Sequence, residues 1–382
     1  EDSEWIGWIR LKKWPRWLQQ KESRRSGRYT FTTAKHYDKD DQLESSGLLG
    51  PVKVITKNSA QNLFIFSEDT TYTHKIDLSS NLEIFDSTKI NRSIEAFADR
   101  NFKKGITLFS PTEGVLLVDT ILSFGYENLE PVWNVRQWAS KFSLKNAELE
   151  ISPHGDRIYR NKGKTLAVNP DGSFQLEVFG KNEWGNHYRQ RRESWPHLYL
   201  TQSFFPRVKI PIAKCETIFF SLDGIREYCY NYMHPSADTS LYTAHVVINI
   251  IVQNRNTNSP LHGKYITVQL PCYDYRYDFA KSINRYDVDG KEVTTGSLMY
   301  GMPSEELWDG TFKDGKWHKA RKDILPLILE AWPIATKKGS ALEEADLNDF
   351  YLASATIGWE VPGIFDASMR FKNLSIRAVL KE

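Results

Sequence analysis

Two runs of this chain place side chains capable of chemistry on one face of an extended strand. In His197-Leu198-Tyr199-Leu200-Thr201, the two leucines share one face, and His197, Tyr199 and Thr201 share the other. In the run from His245 to Gln253, Val246, Ile248, Ile250 and Val252 line one face while His245, Asn249 and Gln253 stand opposite. Successive side chains of a strand alternate between faces, so a period of two is the signature. A face that only meets water would favour Lys, Glu, Thr and Ser. His, Asn, Gln and Tyr instead hold a polar ligand without a full charge. The pattern predicts a sheet with a hydrophobic back and a polar, ligand-shaped front.

Two chemistries suit such a front. β-Elimination on a uronic-acid polymer needs a base for the proton beside the carboxylate, groups that neutralise that carboxylate, and an acid for the leaving oxygen. His245 or His197 could be the base, because an imidazole titrates near neutrality. Tyr273 could be the acid, and Arg191, Asn249 and Gln253 could hold the carboxylate, with Tyr199 and Gln269 as further contacts on strand faces. The bland alternative is that both histidines are hydrogen-bonded structural residues. Hydrolysis would instead need two carboxylates flanking the glycosidic bond. Glu177, Glu183, Glu193, Asp274 and Glu360 are candidates, but no pair among them is fixed by spacing. Asp287-Val288-Asp289-Gly290 reads as a turn. A structural calcium there is conceivable, although the spacing lacks the remaining ligands of a calcium loop. No other cofactor is expected, and no Cys or His spacing resembles a zinc site.

Composition narrows the class. The chain has 382 residues, 26% of them charged, with a formal net charge of +2. Such a balance supplies no global field for nucleic acid or an anionic membrane. Arg189, Arg191 and Arg192 are too few to make a nucleic-acid groove. Aromatic residues reach 13%, including 12 Trp and 18 Tyr. That excess suits a β-rich protein, and it also suits a sugar binder, whose rings stack on pyranose faces; any single ring is more often core. Three cysteines, at 215, 229 and 272, make no disulfide scaffold. No apolar run is long enough to span a membrane. The chain opens on Glu1 rather than Met, as a mature or trimmed form would.

The elements that must position these residues are mostly strands. Residues 1–50 carry Trp5, Trp8, Trp14 and Trp17 among basic residues and are expected to act as a latch and loop. Residues 51–144 form a β-rich N-terminal region with strand candidates at 52–55, 63–66, 72–76, 82–85, 106–109 and 115–118, and Glu130-Pro131 resembles a boundary. Val132 to Phe142 fits a short helix anchored by Trp133, Val135, Trp138 and Phe142. From 145 to 382 amphipathic strands dominate, and Arg226, Tyr228, Tyr230 and Tyr232 would share one face. One helix interrupts them: Asp323 can cap it, Pro326 fits its first turn, and Leu325, Ile328, Leu329 and Trp332 follow its period. Ala341 to Leu352 is a candidate second helix. The expected fold is a mostly β, antiparallel sandwich or jelly roll with one or two inserted helices.

Four motifs carry a resemblance: Arg191-Arg192-Glu193-Ser194-Trp195-Pro196-His197-Leu198, the His245 strand ending Gln253-Asn254-Arg255-Asn256, Tyr273-Asp274-Tyr275-Arg276, and Gly358-Trp359-Glu360-Val361-Pro362-Gly363. Over about residues 130–382 the chain resembles a group of bacterial polysaccharide-utilisation proteins similar to the concanavalin A-like jelly-roll superfamily of lyases and glucanases. The resemblance implies an Arg-rich strand, a Gln/His strand and a Tyr-bearing strand across a concave sheet, with Arg189 or Arg191, His245 or Gln253, and Tyr273 or Tyr275 as counterparts. The lyase motifs themselves and the paired-acid strand of the jelly-roll hydrolases are both missing here. The resulting expectation is an extracytoplasmic protein acting on a polysaccharide or oligosaccharide, leaning to a lyase. A hydrolase or a non-catalytic glycan-binding module is the alternative.

Overall fold

In the computed structural model burial alternates along strands such as Ile106–Phe109 and Trp133–Arg136 and is nearly continuous along Lys164–Val168 and Tyr265–Asp274. The structure describes residues 93–112, 114–287 and 295–381, all within the compact unit Ile76–Glu382. The Trp-rich latch, the strand candidates before residue 93 and Asp289 lie outside the described residues.

Two sheets pack face to face. The first contains β1 (Ser93–Glu95), β5 (Leu149–Ile151), β6 (Arg157–Arg160), β7 (Lys164–Val168), β8 (Phe174–Phe179), β10 (Cys215–Asn231), β15 (His318–Asp323) and β17 (Phe365–Leu380). Its order is β15-β10-β17-β8-β7-β6-β5, with β1 also on β17. The second contains β2 (Ile106–Phe109), β3 (Val118–Leu122), β4 (Trp133–Arg136), β9 (His197–Ser203), β11 (His245–Asn254), β12 (Tyr265–Asp274), β13 (Asn284–Tyr286), β14 (Leu298–Gly301) and β16 (Phe350–Glu360). Its order is β13-β14-β12-β11-β16-β9-β4-β2-β3. Pairing is antiparallel except for β2 with β4 and β12 with β14. The fold is a mostly β sandwich, as expected. Strands on both sides of Glu130-Pro131 belong to the second sheet.

The core lies between the sheets. Leu198, Leu200, Val246, Ile248, Ile250 and Ile357 from the second sheet meet Leu176, Ile218, Phe220, Met369 and Phe371 from the first, all buried. Each such side chain contributes about 1.5–3 kcal/mol of burial. Trp359 is fully buried there, and its indole N–H donates across the interface to the Leu176 carbonyl at 2.8 Å. This bond pins β16, the strand that carries Glu360, to the opposite sheet.

Two helices are present among the described residues: α1 (Gly180–Trp184) and α2 (Leu325–Ala335). α2 is the helix the periodicity indicated. Pro326 sits in its first turn, and the Asp323 carboxylate accepts from the Leu325 N–H at 3.1 Å. The other two helix expectations are corrected. Trp133 and Val135 are buried with period two, so Trp133–Arg136 is strand β4, paired with β2 and β9. Residues 341–352 hold only a single 3-10 turn, Leu347–Asp349, before β16 begins at Phe350. Arg226 does not share the face of Tyr228 either. A bulge between them shifts the ladder, turning Arg226 toward the carbonyls of Phe312 and Lys313 while the Tyr228 hydroxyl donates to Glu177.

Candidate active site on the second sheet

The outer face of the second sheet forms the floor of a cleft of about 850 Å³. Its centre is a row of four side chains on four adjacent strands. His197 on β9 is in register with Glu360 on β16, Glu360 with His245 on β11, and His245 with Asp274 on β12. Neighbouring strands lie about 4.8 Å apart, so side chains in one row can touch. The result is an alternating imidazole–carboxylate row across the cleft floor.

Glu360 is the hub. Its carboxylate accepts from the Trp195 indole at 3.0 Å and from the Tyr199 hydroxyl. His245 Nε2 stands 3.2 Å from it, and His197 Nε2 3.9 Å. Burial pushes the acid upward, but the two imidazoles and the Tyr199 hydroxyl outweigh it, so the acid lies well below its usual range. Burial likewise opposes the charge on His245, yet Glu360 prevails and raises its pKa above the ordinary 6.5. Near neutral pH Glu360 is therefore a carboxylate, and it favours the protonated form of His245. Burial and Glu360 together lift the Tyr199 phenol well above its usual value, so it stays a donor.

Asp274 is held differently. Arg276 grips it at 2.6 and 2.9 Å, and Thr243 donates at 2.8 Å. Burial would raise this acid, but Arg276 and His245 pull it below the ordinary value. Neither carboxylate of the row is thus a proton donor near neutrality. Further along the floor, Gln269 donates to Asn249 at 3.0 Å, and Thr201 and Thr356 pair at 2.9 Å.

The walls carry unsatisfied donors. Nη1 of Arg136, Nε1 of Trp138, Nε of Arg189 and Nδ1 of His245 are buried without a hydrogen-bond partner among the described residues. All four residues line the cleft. The Arg136 guanidinium lies 3.9 Å over the Phe109 ring, and burial lowers its pKa. Arg189 stacks 5.0 Å over Trp195 and donates to the Leu241 and Glu193 carbonyls. The lining holds Arg136, Arg189, Arg276, Lys281 and Arg285 against only Glu360, Asp274 and Asp287. Buried donors want acceptors, and the excess of cations favours an anion.

Sequence candidates divide by position. His197, His245, Tyr199, Asn249, Gln269, Arg189 and Glu360 all line the cleft. Tyr273 also borders the cleft, but a bulge in β12, opposite Val246 and Val247, turns its buried ring onto Trp359 between the sheets. Asp274 takes the cleft side instead. Tyr275 packs on Phe365 away from the row, and Gln253 donates to the Gly263 carbonyl beyond the cleft's end. Arg191 is exposed and outside the lining. Glu177 stands on the first sheet, bound to Thr165 and Tyr228. Glu183 is buried in α1 with Lys164 and Ser140. Neither belongs to the cleft, and Glu193 pairs with His187 at 2.9 Å.

Arg136 and Trp138 were hidden by the helix reading. The period of two from Trp133 to Trp138 was the signal that would have placed them on the polar face. Asp287 accepts from the Thr295 N–H and hydroxyl. Among the described residues no group of three His, Cys, Asp or Glu is arranged to hold a metal ion. No helix among them is long and apolar enough to cross a membrane.

No family model matches the chain. A protein of Formosa agariphila described as "Putative beta-glucuronidase" is 53% identical over 45 residues, which is 12% of this chain and 4% of that protein. Among solved structures, a native family 12 xyloglucanase from Bacillus licheniformis aligns with 61% of this chain and 97% of its own, at 10% identity and a TM-score of 0.36. The endoglucanase cel12A from Rhodothermus marinus aligns with 60% and 95%, at 8% identity and a TM-score of 0.32. The xyloglucanase domain of NopAA from Sinorhizobium fredii, in complex with cellobiose, aligns with 60% and 98%, at 11% identity and a TM-score of 0.32. The fold rests on the strand pairing described above, not on these scores.

Proposed function

We propose that this chain is a polysaccharide-active enzyme that hydrolyses an acidic glycan in the cleft of the second sheet. The observation that supports this most is the Glu360–His245 pair, a carboxylate 3.2 Å from an imidazole whose protonated form it favours, on the cleft floor. Hydrolysis needs negative charge beside the developing oxocarbenium ion and a proton for the leaving oxygen. Glu360 supplies the charge and His245 the proton for the leaving oxygen; water then adds to the anomeric carbon and gives its proton to the imidazole left neutral. Tyr199 and Trp195 orient the carboxylate, and His197 adds a second positive neighbour. Elimination fits less well, because it asks His245 for a free base and Glu360 favours its protonated form. The free donors and excess cations of the cleft support an anionic polymer, and its half-buried rings, Trp138, Tyr265 and Tyr277, suit pyranose faces.

A second reading is a non-catalytic binding cleft. The observation that favours it is that both carboxylates of the row are held ionised, so the usual carboxylic-acid proton donor is missing. One experiment separates the readings. Purified protein is incubated with polyglucuronate, alginate, polygalacturonate and neutral glucans, while new reducing ends and the absorbance of unsaturated uronates are followed together. Hydrolysis predicts reducing ends without absorbance, falling by about a hundredfold or more in Glu360→Gln. Absorbance rising with the reducing ends would replace hydrolysis by elimination. Binding with neither signal would leave a binding module.

A further inference from the structure

We propose that a second cavity, continuous with the cleft, takes a distal sugar of the same glycan through an anionic substituent. This inference rests on the acidic-glycan reading above. The cavity holds about 620 Å³. It meets the cleft at Tyr273, Arg276 and Tyr277, which line both. Its lining includes Arg226, His234, Arg276 and Lys313, and no Asp or Glu.

The three cations, Arg226, Arg276 and Lys313, are unevenly satisfied. Arg276 is committed to Asp274 on the cleft side. Lys313 reaches Asp278 at 3.1 Å, with the acid at 77% exposure, so that pair is well hydrated. Arg226 is the telling case. Its guanidinium donates to the Phe312 and Lys313 carbonyls, both at 2.8 Å, and has no carboxylate within ion-pair distance among the described residues. A guanidinium bound only to carbonyls keeps its whole charge for a ligand. Tyr275 and Tyr277 supply ring faces at the same place. Tyr275 is braced by Phe365 and by Asn231, which donates to its hydroxyl. Tyr277 lies at the border with the Arg276 and Lys281 cations 5.3 and 4.5 Å from its ring. Rings for a pyranose and a guanidinium, Arg226, held by carbonyls rather than by a carboxylate together fit a sugar bearing a carboxylate or a sulfate.

The test uses the whole chain and calorimetry. Ligands are oligoglucuronides from disaccharide to octasaccharide and, separately, sulfated neutral oligosaccharides of the same lengths. The variants are Lys313→Glu, whose side chain is exposed, and Arg226→Gln, checked by its melting temperature. The expected result is about a tenfold loss for the octasaccharide, as for a lost charged hydrogen bond, with disaccharide binding unchanged. Loss confined to the carboxylated series, or to the sulfated one, identifies the substituent. Equal losses at every length, or none in either variant, overturn the second subsite while leaving the acidic-glycan reading intact. If the wild-type chain binds none of these ligands, the acidic-glycan reading falls, and the subsite falls with it. Should Arg226→Gln misfold, Lys313→Glu decides alone.

Discussion

His245 Nε2 lies 3.2 Å from Glu360 Oε2, on neighbouring strands whose residues stand directly opposite one another. The contact is made by sheet register, so it needs no loop to close. Its polarity sets the protonation of the cleft floor, and its pH behaviour follows from the two shifts.

His245 has its folded pKa raised above 6.5, so its contribution to stability is complete below about pH 6.5 and is lost as pH rises through the raised value. Glu360 is depressed below its ordinary 4.5, so its contribution is present above about pH 4.5 and is lost as pH falls through the depressed value. The pair is therefore whole between these limits. The melting temperature of the wild type should fall as pH rises beyond neutrality, and His245→Gln should flatten that fall. Scanning fluorimetry across pH measures it. An unchanged slope in the variant would separate His245 from the effect.

Arg136 lies over Phe109 with a buried N–H that finds no partner among the described residues. Arg136→Gln should weaken acidic oligosaccharides by about tenfold to a hundredfold, the range of a charged hydrogen bond. Neutral oligosaccharides should be unaffected. The salt dependence of binding should also shrink. Titration at two ionic strengths reads both effects.

Lys164 and Glu183 are 1% and 2% exposed and 3.6 Å apart. Removing one partner strands the other's charge in the core, which costs about 3–5 kcal/mol. Glu183→Gln should therefore lower the denaturation midpoint strongly. Any folded fraction should keep its specific activity, because Glu183 stands outside the cleft. Urea titration paired with an activity assay separates these outcomes.

Gly358 passes β9 so closely that a Cβ there would lie 2.0 Å from the Leu198 carbonyl oxygen. Gly358→Ala must push the strands apart beside Glu360. A loss of about 1–3 kcal/mol is expected from overpacking, together with reduced turnover because the His197–Glu360 register shifts. Retention of both stability and turnover would show that the strand pair can give way freely.

Much of this arrangement was legible in the sequence. The alternation of β9 and β11 separates Leu198, Leu200 and the Val246–Val252 series from His197, Tyr199, His245 and Asn249, and the sheet keeps that separation. Alternation is local, however, and register is not. Nothing in the spacing of Glu360 or Asp274 reveals that both flank His245, since 115 residues of chain separate His245 from Glu360. Bulges defeat the period of two in the same way: one turns Arg226 away from the face of Tyr228, and another turns the Tyr273 ring between the sheets. Trp133 to Trp138 failed for another reason. Aromatic and apolar residues at close spacing satisfy a helical and a strand pattern alike, and only pairing with β2 and β9 decides between them.

The bulge in β12 means that the group opposite His245 is set by residue count as well as residue identity. In an unbroken ladder Pro271 opposite Val247 would bring Tyr273 opposite His245. With Cys272 as the extra residue, Asp274 stands there instead. A neutral phenol or an anchored negative charge beside the imidazole is thus a matter of ladder parity. A family of such sheets could exchange one chemistry for the other by gaining or losing a single residue at this point, with every neighbouring side chain kept.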